Sequence, residues 1–280
     1  MRIGVSPYGS TRDEVLKLAR RAADAGLDGL MMGDGLISTP SFPAWSGAMD
    51  AFVELAWLAG QVEVRTYGLN ALVLPARDPR IVAKQGSSLN AVTGGRAVVG
   101  VCAGFWEHDA RLFGFGFAER GARLDEGIRA LQAAWRGDPE FRGQFWSWSA
   151  AGPIGPCGEV EPPELWLAGG EATMRRAIRY GLTWQPTRVS PEELAPLARA
   201  YADAGGTRLT ARARMSVTEP VGGHGPLSFP ALVGPPSYLA DQLHAYAELG
   251  VTYASVVAGF DYASCAATID ALGEAAPALL

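Results

Sequence analysis

The stretch GVCAGFWEHD, residues 100–109, brings a cysteine, a histidine and an acid close together: Cys102, His108 and Asp109. These residue types serve nucleophilic catalysis when a thiolate and a base meet in space. Cys102 admits three readings: a pocket wall at the end of a buried strand, a contact that tunes a bound group, or a nucleophile. His108 and Asp109 open the helical stretch HDARLFG, as solvated surface or as an acid and base facing a substrate. A metal centre would need ligands at short repeated spacings. The three histidines are instead scattered at 108, 224 and 244. A second stretch, AGGEATM at 168–174, is a candidate anion site. Gly169 and Gly170 let backbone approach a ligand, and a helix starting near Glu171 offers free N–H groups and positive dipole. Thr173 adds a hydroxyl, and Arg175 or Arg176 a charge. The alternative is a plain strand-to-helix turn with Glu171 as a first-turn acid.

These groups need a scaffold, and the pattern around them supplies one. Arg2–Ser6 is short, apolar and β-prone. Thr11 with Glu14 is a capping-box pair, Val15, Leu18, Ala22 and Ala25 share one helical face, and Gly26 ends the helix. The same unit recurs: strands at LDGLMMGD, RTYGLNALVL, RAVVGVC, ELWLAGG, LTWQP, TARARMSVTEP and VTYASVVAG, with helical periodicity between them. Ser190, Pro191 and Glu193 start one of those helices with a second capping box. A helix over about Tyr262–Ala275 closes the chain. Eight apolar strands alternating with helices predict an α/β protein, a (β/α)8 TIM barrel, as one domain over 1–280. Residues 137–163, rich in Gly, Pro and Trp, form an excursion between the fourth helix and the fifth strand: a substrate lid, or a flap packed on the barrel.

Composition narrows the chemistry. Hydrophobic residues are 48% and charged residues 19%, so the chain can bury a large core. A net charge of −5 without basic runs argues against nucleic acid. Three cysteines without a CxxC pair argue against a disulfide framework and for a reducing cytoplasm. Neither a signal peptide nor an uninterrupted apolar stretch of membrane-spanning length is evident. In a barrel of this kind the active site lies at the C-terminal strand ends. Those ends carry glycines, Cys102 and aromatics, without a GxSxG elbow or a phosphate loop. That suits a flat cofactor that brings the hard chemistry with it.

The block from Asn70 to Leu131 resembles the bacterial luciferase-like superfamily of flavin-dependent monooxygenases and deazaflavin (F420)-dependent oxidoreductases. The likeness rests on LVLP at 72–75, Asp78–Pro79, GGR before the fourth strand, GV-x-x-G at 100–104 and ERGARLDE at 119–126. PPELWLAGG and VGPPSYLADQLHAYAELGVTYASVV extend it toward the C-terminus. The resemblance implies a ring bound at the barrel mouth and a β-bulge on strand three, often with a non-proline cis peptide, at Asn70–Ala71. It implies that Asp34, Cys102, Gly104 and Gly169–Glu171 lie at the cofactor.

The chain also departs from that family. Asp34 is followed by Gly35 where many F420-dependent members have histidine, and Phe105 replaces the acid of the sugar-phosphate dehydrogenases. Both changes remove proton-transfer groups, so sugar-phosphate dehydrogenation is not expected. Trp45, Phe105, Trp106 and Trp148 are candidate substrate walls, with Phe42, Trp146 and Trp184 as further aromatics. Tyr8, Glu107 and His108 are the candidate proton donors. The expectation is an F420-dependent reductase of a small organic molecule. The alternatives are an FMN-dependent monooxygenase and a non-catalytic flavin binder. A homodimer through the second and third helices follows from the resemblance, and Phe52, Leu55, Trp57 and Leu58 leave the second helix apolar on more than one face.

Overall fold

The structure is a computed structural model and describes residues 1–9, 11–35, 49–149, 152–154, 161–187, 189–218, 231–259 and 261–278. Eight parallel strands close into a barrel: β1 (Arg2–Ser6), β2 (Gly29–Met32), β3 (Thr66–Val73), β4 (Ala97–Cys102), β7 (Glu164–Ala168), β8 (Thr183–Gln185), β9 (Leu209–Ser216) and β11 (Val251–Val257). Each pairs with the next, β11 returns to β1, and Trp184–Leu209 with the Thr187–Arg212 bridge joins β8 to β9. Helices α1 (Arg12–Asp24), α2 (Ala51–Ala59), α3 (Pro79–Val92), α4 (Glu107–Leu112), α5 (Arg120–Arg136), α6 (Glu171–Tyr180), α7 (Pro191–Asp203), α8 (Pro236–Glu248) and α9 (Tyr262–Ala275) run between the strands. The expected (β/α)8 TIM barrel is therefore the fold. Among the described residues no helix is long and apolar enough to cross a membrane.

The helices start where their caps predict. Thr11 accepts from the Glu14 amide, and Ser190 and Glu193 form a complete reciprocal box. Asp50 and Asp78 cap α2 and α3 in the same way. Strand residues such as Ile3, Val5, Leu30, Val99, Leu165 and Val256 are buried in the main core together with helix residues. A second, separate cluster is formed by Met31, Val98, Trp166 and Tyr253. Trp166 and Tyr253 meet edge to face at 5.2 Å. Small residues on neighbouring strands make room for them. A β-carbon on Gly4 would lie 2.0 Å from the Tyr253 hydroxyl, and one on Gly68 2.3 Å from the Met31 Cε.

Three features differ from the sequence expectation. The excursion after α5 carries an antiparallel hairpin of β5 (Glu140–Arg142) and β6 (Ser147–Ser149). Its turn is fastened to the barrel wall: the buried Glu126 carboxylate on α5 accepts from the amides of Gln144, Phe145 and Trp146, each at 2.7 Å. The seventh barrel strand ends at Ser216, short of the expected Pro220, and its upper half pairs with an unforeseen parallel strand, β10 (Ala231–Val233). That strand is also not a plain apolar run, because it carries Arg212 and Arg214 among buried neighbours.

Candidate functional site

A cavity of about 590 Å³ lies at the C-terminal ends of the barrel strands. One wall comes from β3 and β4, with Ala71, Val73, Cys102 and Gly104. The Asn70–Ala71 peptide is cis, and the β3–β4 register shifts there, between Leu69 and Leu72. The expected bulge therefore falls at the expected residues. Asn70 is fully buried and its side-chain amide donates to Ser255 on β11. Gly104 has φ +76°, and a β-carbon there would stand 2.8 Å from Val73 Cγ1. A side chain at that position would be strained and would crowd the wall.

The opposite wall is the turn from β7 into α6. Gly169, with φ +148°, and Gly170, the N-cap of α6, line the cavity with Thr173. A β-carbon on Gly169 would meet Thr173 Oγ1 at 2.5 Å, so backbone and hydroxyl share one small space. Trp184, fully buried on β8, donates its ring N–H to the Gly169 carbonyl at 2.9 Å and fixes the turn. Glu171 does not join this wall. It is exposed and pairs with Arg175 at 3.7 Å.

Five charged side chains line the cavity: Asp34, Asp109, Arg120, Arg176 and Arg212. Asp34 and Arg176 are held by charged partners, and Arg120 donates to the Phe117 carbonyl at 2.9 Å. Asp34 accepts from Arg77 at 2.6 and 3.3 Å and from the Val73 amide at 3.1 Å. Arg77 also pairs with Asp50 at 3.2 Å, so one guanidinium joins the ends of β2 and β3 to the cap of α2. Arg176 is held bidentately by Asp125 at 2.9 and 3.0 Å. The wall is completed by Phe105 and Trp106, whose rings meet edge to face at 5.6 Å.

Burial pushes the Cys102 thiol up to about 11. A thiol held protonated is the reverse of what a nucleophile requires, and the wall reading suits it. Burial also raises the Asp109 carboxyl above the ordinary carboxylate range, with His108 opposing the shift and Asp34 adding to it.

The three expected proton donors lie elsewhere. Glu107 is exposed and pairs with Arg111 at 3.6 Å; His108 is exposed beside it. Neither lines the cavity, because successive helical positions point in different directions and it is Asp109 that turns inward. Tyr8 lies against Gly33, near Arg212, outside the lining, and burial raises its hydroxyl's pKa. Trp148 is also away from the cavity: it stacks on Phe141 within the hairpin, and its ring N–H reaches the Asp138 carbonyl at 3.3 Å. The lid reading of the excursion therefore has no support from the described hairpin. Trp45 and Phe42 lie outside the described residues. Sequence reasoning offered His108 and Asp109 alike as surface or as substrate-facing groups, and the structure turns Asp109 into the cavity; it missed Arg120 and Arg212 as lining groups.

The model of the family described as luciferase-like monooxygenase matches residues 2–220. An uncharacterized protein of Mycobacterium tuberculosis is 34% identical over 147 residues, 52% of this chain and 50% of that one. The oxygenase component of the flavin-dependent trigonelline monooxygenase of Acinetobacter baylyi is 25% identical over 194 residues, 66% of this chain and 51% of that one. The chain thus spans about half the length of the curated relatives it matches. Two solved structures share the fold over the full chain. The FMN complex of the oxygenating constituent of 3,6-diketocamphane monooxygenase from Pseudomonas putida superposes with a TM-score of 0.79 at 17% identity, covering 100% of this chain and 99% of that one. An F420-dependent secondary alcohol dehydrogenase with an F420–acetone adduct gives 0.80 at 16%, with the same coverage.

Proposed function

The chain belongs to the luciferase-like monooxygenase family, and on that footing we propose that it is an oxidoreductase that reduces a small organic molecule with reduced F420. One observation carries the reading. The cavity joins a wall of small side chains and exposed backbone to arginines and to a half-buried acid, Asp109. A flat anionic cofactor needs the first two, and a reduction needs the third. Ala71, Cys102 and Gly104 would face the ring. Gly169, Gly170, Thr173 and Arg120 would hold its anionic tail, through α6 N–H groups and a guanidinium. Bound there, the reduced cofactor supplies a hydride. The chain's own work is to orient the two reactants and exclude water, and a cavity walled by Val73, Phe105 and Trp106 does both.

A second reading, an FMN-dependent monooxygenase, is favoured by the Acinetobacter relative, whose name is that of a flavin-dependent monooxygenase. Titration of the apoprotein separates the two. The expected result is saturable quenching of F420 fluorescence with no response to FMN. Tight FMN binding without F420 binding would replace the first reading by the second, and the search would move to oxygen consumption.

The proposal includes a homodimer. Val53 on α2 and Ile81 and Val92 on α3 are 55, 57 and 73% exposed and would face a partner, whereas Phe52, Leu55 and Leu58, expected there from the sequence, are buried in the chain's own core. Sedimentation equilibrium is expected to give twice the chain mass, and a chain that stays monomeric at high concentration would refute it.

A further inference from the structure

The two acids of the cavity differ in a way that assigns them different work. Asp34 receives three hydrogen bonds, two of them from the Arg77 guanidinium. Asp109 lines the same cavity, and its Oδ1 is buried without a hydrogen-bond partner among the described residues. A buried carboxylate oxygen with no donor is expensive, so native chains seldom keep one without a use for it.

We propose that Asp109 is the proton donor of this site, and that its substrates are therefore polarised double bonds: a carbonyl, an imine or a conjugated alkene. This rests on the hydride-transfer reading above. The hydride, with its two electrons, adds to the electrophilic carbon and the π bond breaks. The electron pair moves to the partner atom, and the Asp109 O–H bond breaks to give that atom its proton. The cofactor leaves oxidised, and the Asp109 carboxylate regains a proton from solvent. Oxygen is not consumed.

The charged and titratable groups around Asp109 are few. His108 adjoins it on α4. Asp34 faces it from the end of β2 and the Cys102 thiol from β4. Arg120, Arg176 and Arg212 share the cavity, from α5, α6 and β9. Glu119, on the turn packed against α4, is taken by Arg123 at 3.2 Å. Burial and Asp34 favour the protonated acid, and His108 opposes them.

The pH dependence follows. An acid whose folded-state pKa is raised binds more protons in the native state than in the unfolded state. Its contribution to stability is then greatest below the unfolded value, about 3.9, and is lost as pH rises through the folded value. Asp109→Asn keeps the shape and cannot ionise. It is expected to melt higher than the native chain at pH 8, with the gain vanishing near pH 4, in protein free of cofactor. A protonated-carboxyl infrared band that persists to higher pH than an ordinary carboxyl should be present in the native chain and missing from Asp109→Asn. A variant that melts lower at pH 8, or a native chain without that band, would overturn the proposal.

Catalysis is read with reduced F420 and three probes: cyclohexanone, 2-cyclohexen-1-one and a cyclic imine. Asp109→Asn should lower turnover by about 10²–10⁴ while binding F420 as the native chain does. Turnover that survives the substitution refutes the donor role, and no turnover of any probe by the native chain refutes the substrate class. Failure of the native chain to bind F420 would instead strike the hydride reading, and would leave the melting and infrared results as they stand.

Discussion

Asp34→Ala is expected to lower stability by about 3–5 kcal/mol, the range for removing one partner of a buried ion pair. The Asp34 side chain is 2% exposed and that of Arg77 16%, so neither charge can turn to water without disturbing its surroundings. Losing the carboxylate strands a guanidinium and leaves the Val73 amide without its acceptor. Asp50 stays at 3.2 Å and offsets part of the loss, but it is more exposed and so better screened. The check is urea denaturation: the midpoint should fall with the slope unchanged. Asp34→Leu combined with Arg77→Met should recover much of the loss, since an apolar pair of similar volume often replaces a buried ion pair at little cost. A double variant as weak as the single one would show that Asp34 acts through the Val73 amide alone.

Glu126→Ala is expected to cost about 3 kcal/mol and to act locally. Three amide hydrogen bonds to one buried carboxylate are charge-assisted, each worth about 1.5–3 kcal/mol and not additive. The turn is also held by the Gly143 amide, which donates to the Trp146 carbonyl at 3.0 Å, and by Arg123, whose guanidinium lies 4.4 Å from the Phe145 ring centroid. A β-carbon on Gly143 would lie 2.1 Å from Glu126 Oε1, so the turn is folded tightly around the acid. Hydrogen exchange should show lost protection at Gln144, Phe145 and Trp146, with the barrel strands still protected. Glu126→Gln should fall between. Oε1 takes two of the amides, and a glutamine oxygen can replace it; Oε2 takes Gln144, where an NH2 group cannot accept. Unchanged exchange in Glu126→Ala would mean that the aromatic packing of β5 on β6 suffices.

The barrel was legible because its signals are local. Thr11, Ser190 and Pro191 mark helix starts by chemistry that reaches only three residues along the chain, and the apolar strands declare their burial. The hairpin was not legible. Its turn is stabilised by Glu126, far upstream in sequence, and it has no Asn-Gly or Asp-Gly pair to announce it. The site was partly legible. Asn70–Ala71, Cys102, Gly104 and Gly169–Gly170 sit at strand ends, and strand ends follow from the fold. Asp109 was legible only as half of a pair, because the sequence offers His108 and Asp109 alike as surface or substrate-facing groups and does not say which of two successive positions on α4 turns inward. Arg212 hid in a strand read only for its apolar content.

The cluster of Met31, Val98, Trp166 and Tyr253 has one more consequence. All four are between 0 and 5% exposed, so the lower end of the barrel is stoppered. A molecule bound in the cavity has no rear exit. A ligand would therefore enter and leave by the cavity mouth, and a bulky side chain at Gly4 or Gly68 would disturb the plug before it touched the chemistry.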